Sequence, residues 1–216
     1  MRRQLFFLAA LAVCLMAVSA CSSAYYGAME KVGVHKRDIM VDRVEVARDA
    51  QSEAQEQFKS ALEQFGTVVR LKDSDLKRAY DKLNGEYEDS QAAAKNVSAR
   101  IGKIEDVSEA LFSEWQQELG EYQSQELRRE SETRLRETKA RYRQMIGSMR
   151  QAEKSMEPVL RIFHDNVLFL KHNLNAQAIG SLRGEFDGLR EEIARLTEKM
   201  NQAIAESNRF IAGIKE

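Results

Sequence analysis

The sequence predicts an all-α protein: an elongated antiparallel helical bundle, or coiled coil, with four long helices in up-down-up-down order. Three observations predict it. Apolar or small residues recur in alternating steps of four and three over four long stretches, which is the spacing of one buried face on a helix. A single proline stands in 216 residues, and 31% of the side chains are charged against 7% aromatic, a composition of long solvated helices rather than of sheets. The connections between the stretches are short and polar or contain glycine, which favours antiparallel neighbours.

The chain opens with a leader. Arg2 and Arg3 precede the apolar run Leu5 to Val18, and Val18-Ser19-Ala20-Cys21 follows. The run is long enough for a translocon and short for a membrane span, and the small residues before Cys21 admit a lipoprotein signal peptidase. Residues 1–20 are therefore expected to be a cleaved signal peptide, with Cys21 lipidated as the first mature residue, palmitate among its acyl chains. At roughly 0.8 kcal/mol per buried methylene, several chains make such an anchor effectively permanent. Ser22 and Ser23 are not the aspartate that retains lipoproteins in an inner membrane, which favours the inner leaflet of the outer membrane, facing the periplasm. A tether over 21–28 follows. Its Tyr25-Tyr26 pair admits two readings, an aromatic contact at the membrane interface or the start of a buried helical face.

The rest, 29–216, reads as a single elongated helical domain. In the first helix, about 29–65, Met40, Val44, Ala47, Gln51, Ala54, Phe58, Ala61 and Phe65 hold a heptad stripe, and Gly66 supplies a stop. Thr67 to Lys72 connect, and Asp73 or Ser74 can cap the second helix, about 74–122. Its stripe runs Leu76, Tyr80, Leu83, Tyr87, Ser90, Ala94, Val97, Ile101, Ile104, Ser108, Leu111 and Trp115, and Tyr122 continues it. Gly85 and Gly102 each cost about 1 kcal/mol against alanine, and a kink or a new start at 102–108 is the open question.

Gly120 and Gln123-Ser124-Gln125 mark the next reversal. The third helix, about 125–173, carries Leu135, Tyr142, Met145, Met149, Ala152, Met156, Val159, Phe163 and Leu170, widened by Ile146, Leu160, Val167 and Leu174. So broad a stripe contacts more than one partner. Pro158 falls inside it and predicts a kink or break near Ser155 to Glu157. Asn173-Leu174-Asn175 turns the chain. The fourth helix, about 177–215, holds Leu182, Phe186, Leu189, Ile193, Leu196, Met200, Ala203, Ser207, Phe210 and Ile214 in register, with Glu191, Glu192, Arg195, Glu198 and Lys199 on the wet side. At about 1.5 Å per residue the second and third helices are roughly 70 Å long and the others nearer 55 Å. The hairpin around 115–135 then overhangs at the anchored end, and its tip, rich in Arg128, Arg129, Arg134 and Arg136, is expected near the bilayer or a partner.

Composition removes several functions. Loss of Arg2 and Arg3 with the leader lowers 33 basic side chains to 31 against 34 acidic ones, so no polycation grips nucleic acid. Cys14 lies in the leader and Cys21 is expected to carry lipid, which leaves no thiol for a disulfide, metal or nucleophile. His164 and His172 stand about 80° apart around one helix, too wide for a tight shared metal site. Carboxylates alternate with lysine and arginine as solvated faces do, and no nucleophile elbow or phosphate loop is present. No catalytic residue, no metal, no cofactor beyond the lipid on Cys21 and no small-molecule substrate is expected. Met145, Met149 and Met156 suit either a core or a soft binding groove. Val167 to Leu174, apolar nearly all round, is expected to be encircled by the bundle, the alternative being a contact face.

Met29-Glu30-Lys31 with His35-Lys36-Arg37, Ala110-Leu111-Phe112 before Trp115, Met156-Glu157-Pro158-Val159-Leu160 and Phe169-Leu170-Lys171-His172-Asn173-Leu174-Asn175 together resemble the bacterial proteins grouped as domain of unknown function 2959. The likeness covers essentially the whole mature chain. It implies a helical envelope lipoprotein and confers no catalytic or binding residues. The function expected is that of a non-catalytic scaffold, spacer or adaptor, held to the membrane by its lipid and contacting an envelope protein or a second copy of itself. Arg128, Arg129 and Arg134 at the hairpin, and Lys171, His172 and Asn173 at the following turn, are the candidate partner contacts. A lipid-handling or membrane-remodelling module and a self-assembling structural lipoprotein are the alternatives.

Overall fold

In a computed structural model of the chain, residues 25–70, 76–173 and 176–215 are described. The leader, Cys21 with Ser22 and Ser23, the cap candidates Asp73 and Ser74, and Leu174 and Asn175 lie outside them. Four long helices follow one another, α1 (Lys36–Val68), α2 (Leu76–Glu118), α3 (Gln125–His172) and α4 (Ala176–Lys215). A short helical stretch over 25–31 precedes them, and no strand occurs among the described residues. The protein is all-α.

The heptad stripes are the core. Every α1 position from Met40 through Phe65 in the four-three series is buried, at 1% exposure or less. So are Leu83, Val97, Ile101 and Ile104 of α2, Met145, Met149, Ala152, Val159, Phe163 and Leu170 of α3, and Leu189, Leu196, Met200 and Ala203 of α4, with Phe210 at 2%. Each large apolar side chain so buried contributes roughly 1.5–3 kcal/mol. The three α3 methionines are core, and Met156 also borders an open cleft with Ala94 and Leu160.

The chain packs as two compact units, one of residues up to Arg43 with Lys103–Arg136, the other of Val44–Gly102 with Glu137–Glu216. In the larger unit α4 runs against α1: Arg48 Nη1 donates to Asn208 Oδ1 at 3.1 Å, Gln55 Nε2 to Asn201 Oδ1 at 2.9 Å, and Arg183 Nε to the Val69 carbonyl at 2.7 Å. Against α3 it is equally antiparallel, with Arg141 donating to the Gly213 carbonyl and Gln144 to Glu206. Phe65 joins three helices, stacked on Phe186 and edge-on to Phe163, both at 6.0 Å between ring centroids.

The helix limits differ from the sequence reading in instructive ways. Gly66 does not end α1. The helix runs on to Val68, and a Cβ at Gly66 would stand 3.2 Å from the Phe186 ring, so the glycine serves close helix approach. The end is closed by two arginines, Arg70 Nε donating to the Gly66 carbonyl and Arg183 to that of Val69, which satisfy carbonyls that lack a helical partner. α2 is continuous through 102–108 but stops at Glu118, so Tyr122 lies past the helix and is 39% exposed. Ser124 caps α3, its Oγ accepting from the Leu127 amide.

No break occurs at Pro158, which lies inside an unbroken α3. Its local cost, about 3 kcal/mol, is offset by the burial of Met156, Val159 and Phe163 on the same turns. The apolar run before Asn173 is not encircled either. Val167 and Leu170 face inward, while Leu168 and Phe169 are 47% and 38% exposed, because one helix cannot turn four successive residues to the same side.

Two core positions among the described residues carry polar groups without partners. Gln51 is fully buried in the α1 stripe, and neither its Oε1 nor its Nε2 has a hydrogen bond, a condition shared by Ser90 Oγ of α2. Such burial costs about 1–3 kcal/mol. Replacing Gln51 by Met, which has nearly the same reach and no amide, is therefore expected to raise stability by about 1–2 kcal/mol in urea denaturation. Phe65→Ala should lower it by about 3–5 kcal/mol in the same assay. A Gln51→Met protein less stable than the parent would show that the amide is satisfied.

Candidate functional site

The smaller unit contains a feature that helical periodicity does not announce. After the turn of helix at 25–31 the chain reverses through Val32 and Gly33, whose φ of 83° is a left-handed conformation that glycine adopts without strain. The amides of Val32, Gly33 and Val34 close the turn onto the carbonyls of Met29 and Glu30. α4 lies wholly in the other unit. Here the fourth helical element is this short stretch, laid back along α1 and α2.

Two cations pin it. Arg43 Nη1 donates to the Tyr26 hydroxyl at 2.7 Å and to the Lys103 carbonyl at 2.6 Å, with the guanidinium 5.4 Å from the Tyr26 ring centre. Tyr26 is 2% exposed, so its ring is core. Lys36, itself buried, bridges Glu30 of the stretch and Glu114 of α2, the latter at 2.7 Å. Trp115 donates its indole N–H to Ser131 Oγ at 2.8 Å, joining α2 to α3 in the same unit.

The electrostatics follow from this packing. Lys36's hydrogen bond holds the Glu30 carboxyl below the usual carboxylate range. Burial opposes the charge on Lys36, but hydrogen bonds to Glu114 and Glu30 outweigh it and raise the ammonium above the lysine norm. Glu118 is pushed up by burial and by the charges of Glu114 and Glu121.

A family-model comparison bears on the same residues. The model described as "Protein of unknown function (DUF2959)" matches residues 25–214. The chain belongs to this family. No curated protein and no solved structure matches the chain. The DUF2959 region begins at Tyr25, the first residue of the short helical stretch, so the fold-back lies within it.

The six candidate contact residues of this DUF2959 chain divide between the two units. Arg128, Arg129 and Arg134 are exposed in the smaller one, Arg128 paired with Glu132 and Arg134 with Glu130, both at 3.1 Å. Lys171 and His172 are exposed in the larger one, and the Asn173 amide caps α3 by donating to the Phe169 carbonyl at 2.9 Å. Between α3 and α4 lies a cleft of about 360 Å³ lined by Ile162, Asn166, Phe169 and Leu182 among others. His164 is exposed beside Tyr87, and no group of three His, Cys, Asp or Glu among the described residues could hold a metal.

Sequence reasoning missed Lys36, Glu114 and Arg43, which act across 78 and 60 residues of chain. The Gly33-containing run Val32-Gly33-Val34 was the available local signal. Docking of the stretch should depend on pH with a definite sign. Glu30's folded value lies below the ordinary 4.5, so its contribution is present above that value and lost as pH falls through the lowered one. Lys36's raised value keeps its contribution up to the ordinary lysine range and loses it only as pH rises beyond. Acidification below 4.5 is thus expected to release Tyr26, seen as its ring signals moving to solvent-exposed positions in NMR. Lys36→Met should release it at neutral pH.

Proposed function

We propose that this DUF2959 protein is a lipid-anchored, periplasm-facing protein of the bacterial envelope that works without catalysis, as a scaffold, spacer or adaptor. The leader carries this reading: the basic pair Arg2 and Arg3, the run Leu5 to Val18, and small residues up to Cys21, all upstream of the family region. Ser22 and Ser23 favour the outer membrane's inner leaflet. The helices support a mechanical rather than a chemical role, because their charged residues pair along exposed faces, as in Arg190 with Asp187 and Arg195 with Glu192. Exposed Arg129 and the Lys171-His172 corner offer partner contacts.

A second reading, lipid handling, is favoured by the cleft beside the exposed Phe169 and Leu168, since apolar concave surface is what a lipid tail requires. Two measurements test the pair of readings. Cys21→Ala should move the protein from the membrane to the soluble fraction. Photoreactive residues at Arg129 and at His172 should each be tried in cells, and one specific envelope protein captured at either site is expected. Lipid alone captured at His172 would replace the adaptor with the second reading, and retention of Cys21→Ala in the membrane would overturn the anchor.

A further inference from the structure

The outer face of the fold-back is unlike the rest of the smaller unit. Tyr25 and Val32 are 48% and 73% exposed, among the most exposed large apolar residues described, and Ala28 lies between them one helical turn from each. Lys31, His35 and Arg37 are exposed nearby in the chain, with Asp38 the one exposed acid among them, and the half-exposed Glu30 is paired with Lys36. Apolar and aromatic side chains rimmed by cations are what a phospholipid headgroup layer accepts, tyrosine at the interface and basic residues toward phosphate.

Distance decides which surface meets the membrane. Cys21 stands four residues before Tyr25, and four residues span at most about 14 Å even fully extended. Tyr26 is fixed beside Lys103 through Arg43. From Lys103 to the end of α2 at Glu118 the helix rises about 22 Å, and the hairpin tip lies beyond. The stretch runs from beside Lys103 toward Glu114, to which Lys36 joins Glu30, so the tether leaves it at the end away from the tip. We infer that the face formed by Tyr25, Ala28, Lys31 and Val32 docks on the headgroups of the membrane that holds the acyl chains, so that the smaller unit lies with its side on the bilayer. Of the two neighbours expected for the arginine-rich tip, the bilayer or a partner, this docking favours a protein partner for Arg128, Arg129 and Arg134. This docking rests on the anchor proposed for Cys21.

Depth measurement on the lipidated full-length protein tests it. An acylated Cys21 leaves no other thiol in the mature chain, so Ala28→Cys, Val32→Cys and Tyr122→Cys each take one nitroxide label. The proteins are floated with vesicles of phosphatidylethanolamine and phosphatidylglycerol, and label accessibility to oxygen and to a water-soluble nickel chelate is read by EPR. Labels at 28 and 32 should be shielded from nickel and open to oxygen, at least threefold more so with vesicles than in detergent-free buffer, while the label at 122 stays aqueous. A floated, acylated protein whose labels at 28 and 32 are aqueous, or whose label at 122 is the buried one, overturns the docking and leaves the anchor standing. Absence of acyl mass on the Cys21 peptide overturns both.

Discussion

Everything in this protein hangs on burying one apolar stripe per helix. The described residues include no cysteine and no group of three His, Cys, Asp or Glu that could hold a metal, so the ordering entropy of their long helices must be met by packing. The stripe of α1 meets it with small residues. Ala47, Ala54 and Ala61 alternate with Met40, Val44, Phe58 and Phe65, all fully buried or nearly so, and Gly66 lets the Phe186 ring lie against bare backbone. Small side chains bury less area each, but they bring backbones close enough for large ones such as Phe65 and Phe163 to touch across three helices. Gln51 is the exception within the stripe. A polar group there is tolerated because its neighbours in the series are intact.

The same dependence explains which features could be read from the chain. A four-three stripe is a property of neighbouring residues, so the helices and the central positions of their cores were legible, down to Ser90, Ser108 and Ser207, while buried residues off the series such as Val107, Phe112, Ile179 and Ile211 were not. Where local rules and packing compete, packing won. Pro158 reads as a break because its missing donor and its ring are local facts, whereas the burial of Met156, Val159 and Phe163, which keeps the helix unbroken through it, is supplied by packing. Gly66 reads as a stop for the same reason. The exposure of Leu168 and Phe169 was hidden by composition, since an apolar run looks buried until a helix assigns alternate sides.

The fold-back was the part that periodicity concealed. Met29, Val32 and Val34 continue an apolar pattern into α1, and only the single glycine between the valines marks the reversal. What makes the reversal stable is non-local. Lys36 reaches Glu114 across 78 residues and Arg43 reaches the Lys103 carbonyl across 60, and no window of sequence shows such pairs. The Tyr25-Tyr26 pair illustrates the result. Successive residues of a helix point about 100° apart, so Tyr26 enters the core, as the buried-face reading expects, while Tyr25 faces out.

That division has a mechanical consequence. Acyl chains on a flexible tether hold a protein near a membrane without setting its orientation, since the linkage resists pulling and not rotation. A second contact a few residues away removes most of that rotational freedom, and the docking proposed for the fold-back would supply one on a segment clamped to α1 and α2 by Arg43 and Lys36. The clamp matters as much as the face. Were residues 25–31 a loose extension, their insertion would leave the helices free. Fastened to the helices, they would in the proposed docking pass the orientation of the bilayer to α2 and α3 and present the exposed Arg128, Arg129 and Arg134 at a set angle, which is what the proposed adaptor needs and an anchor alone does not give.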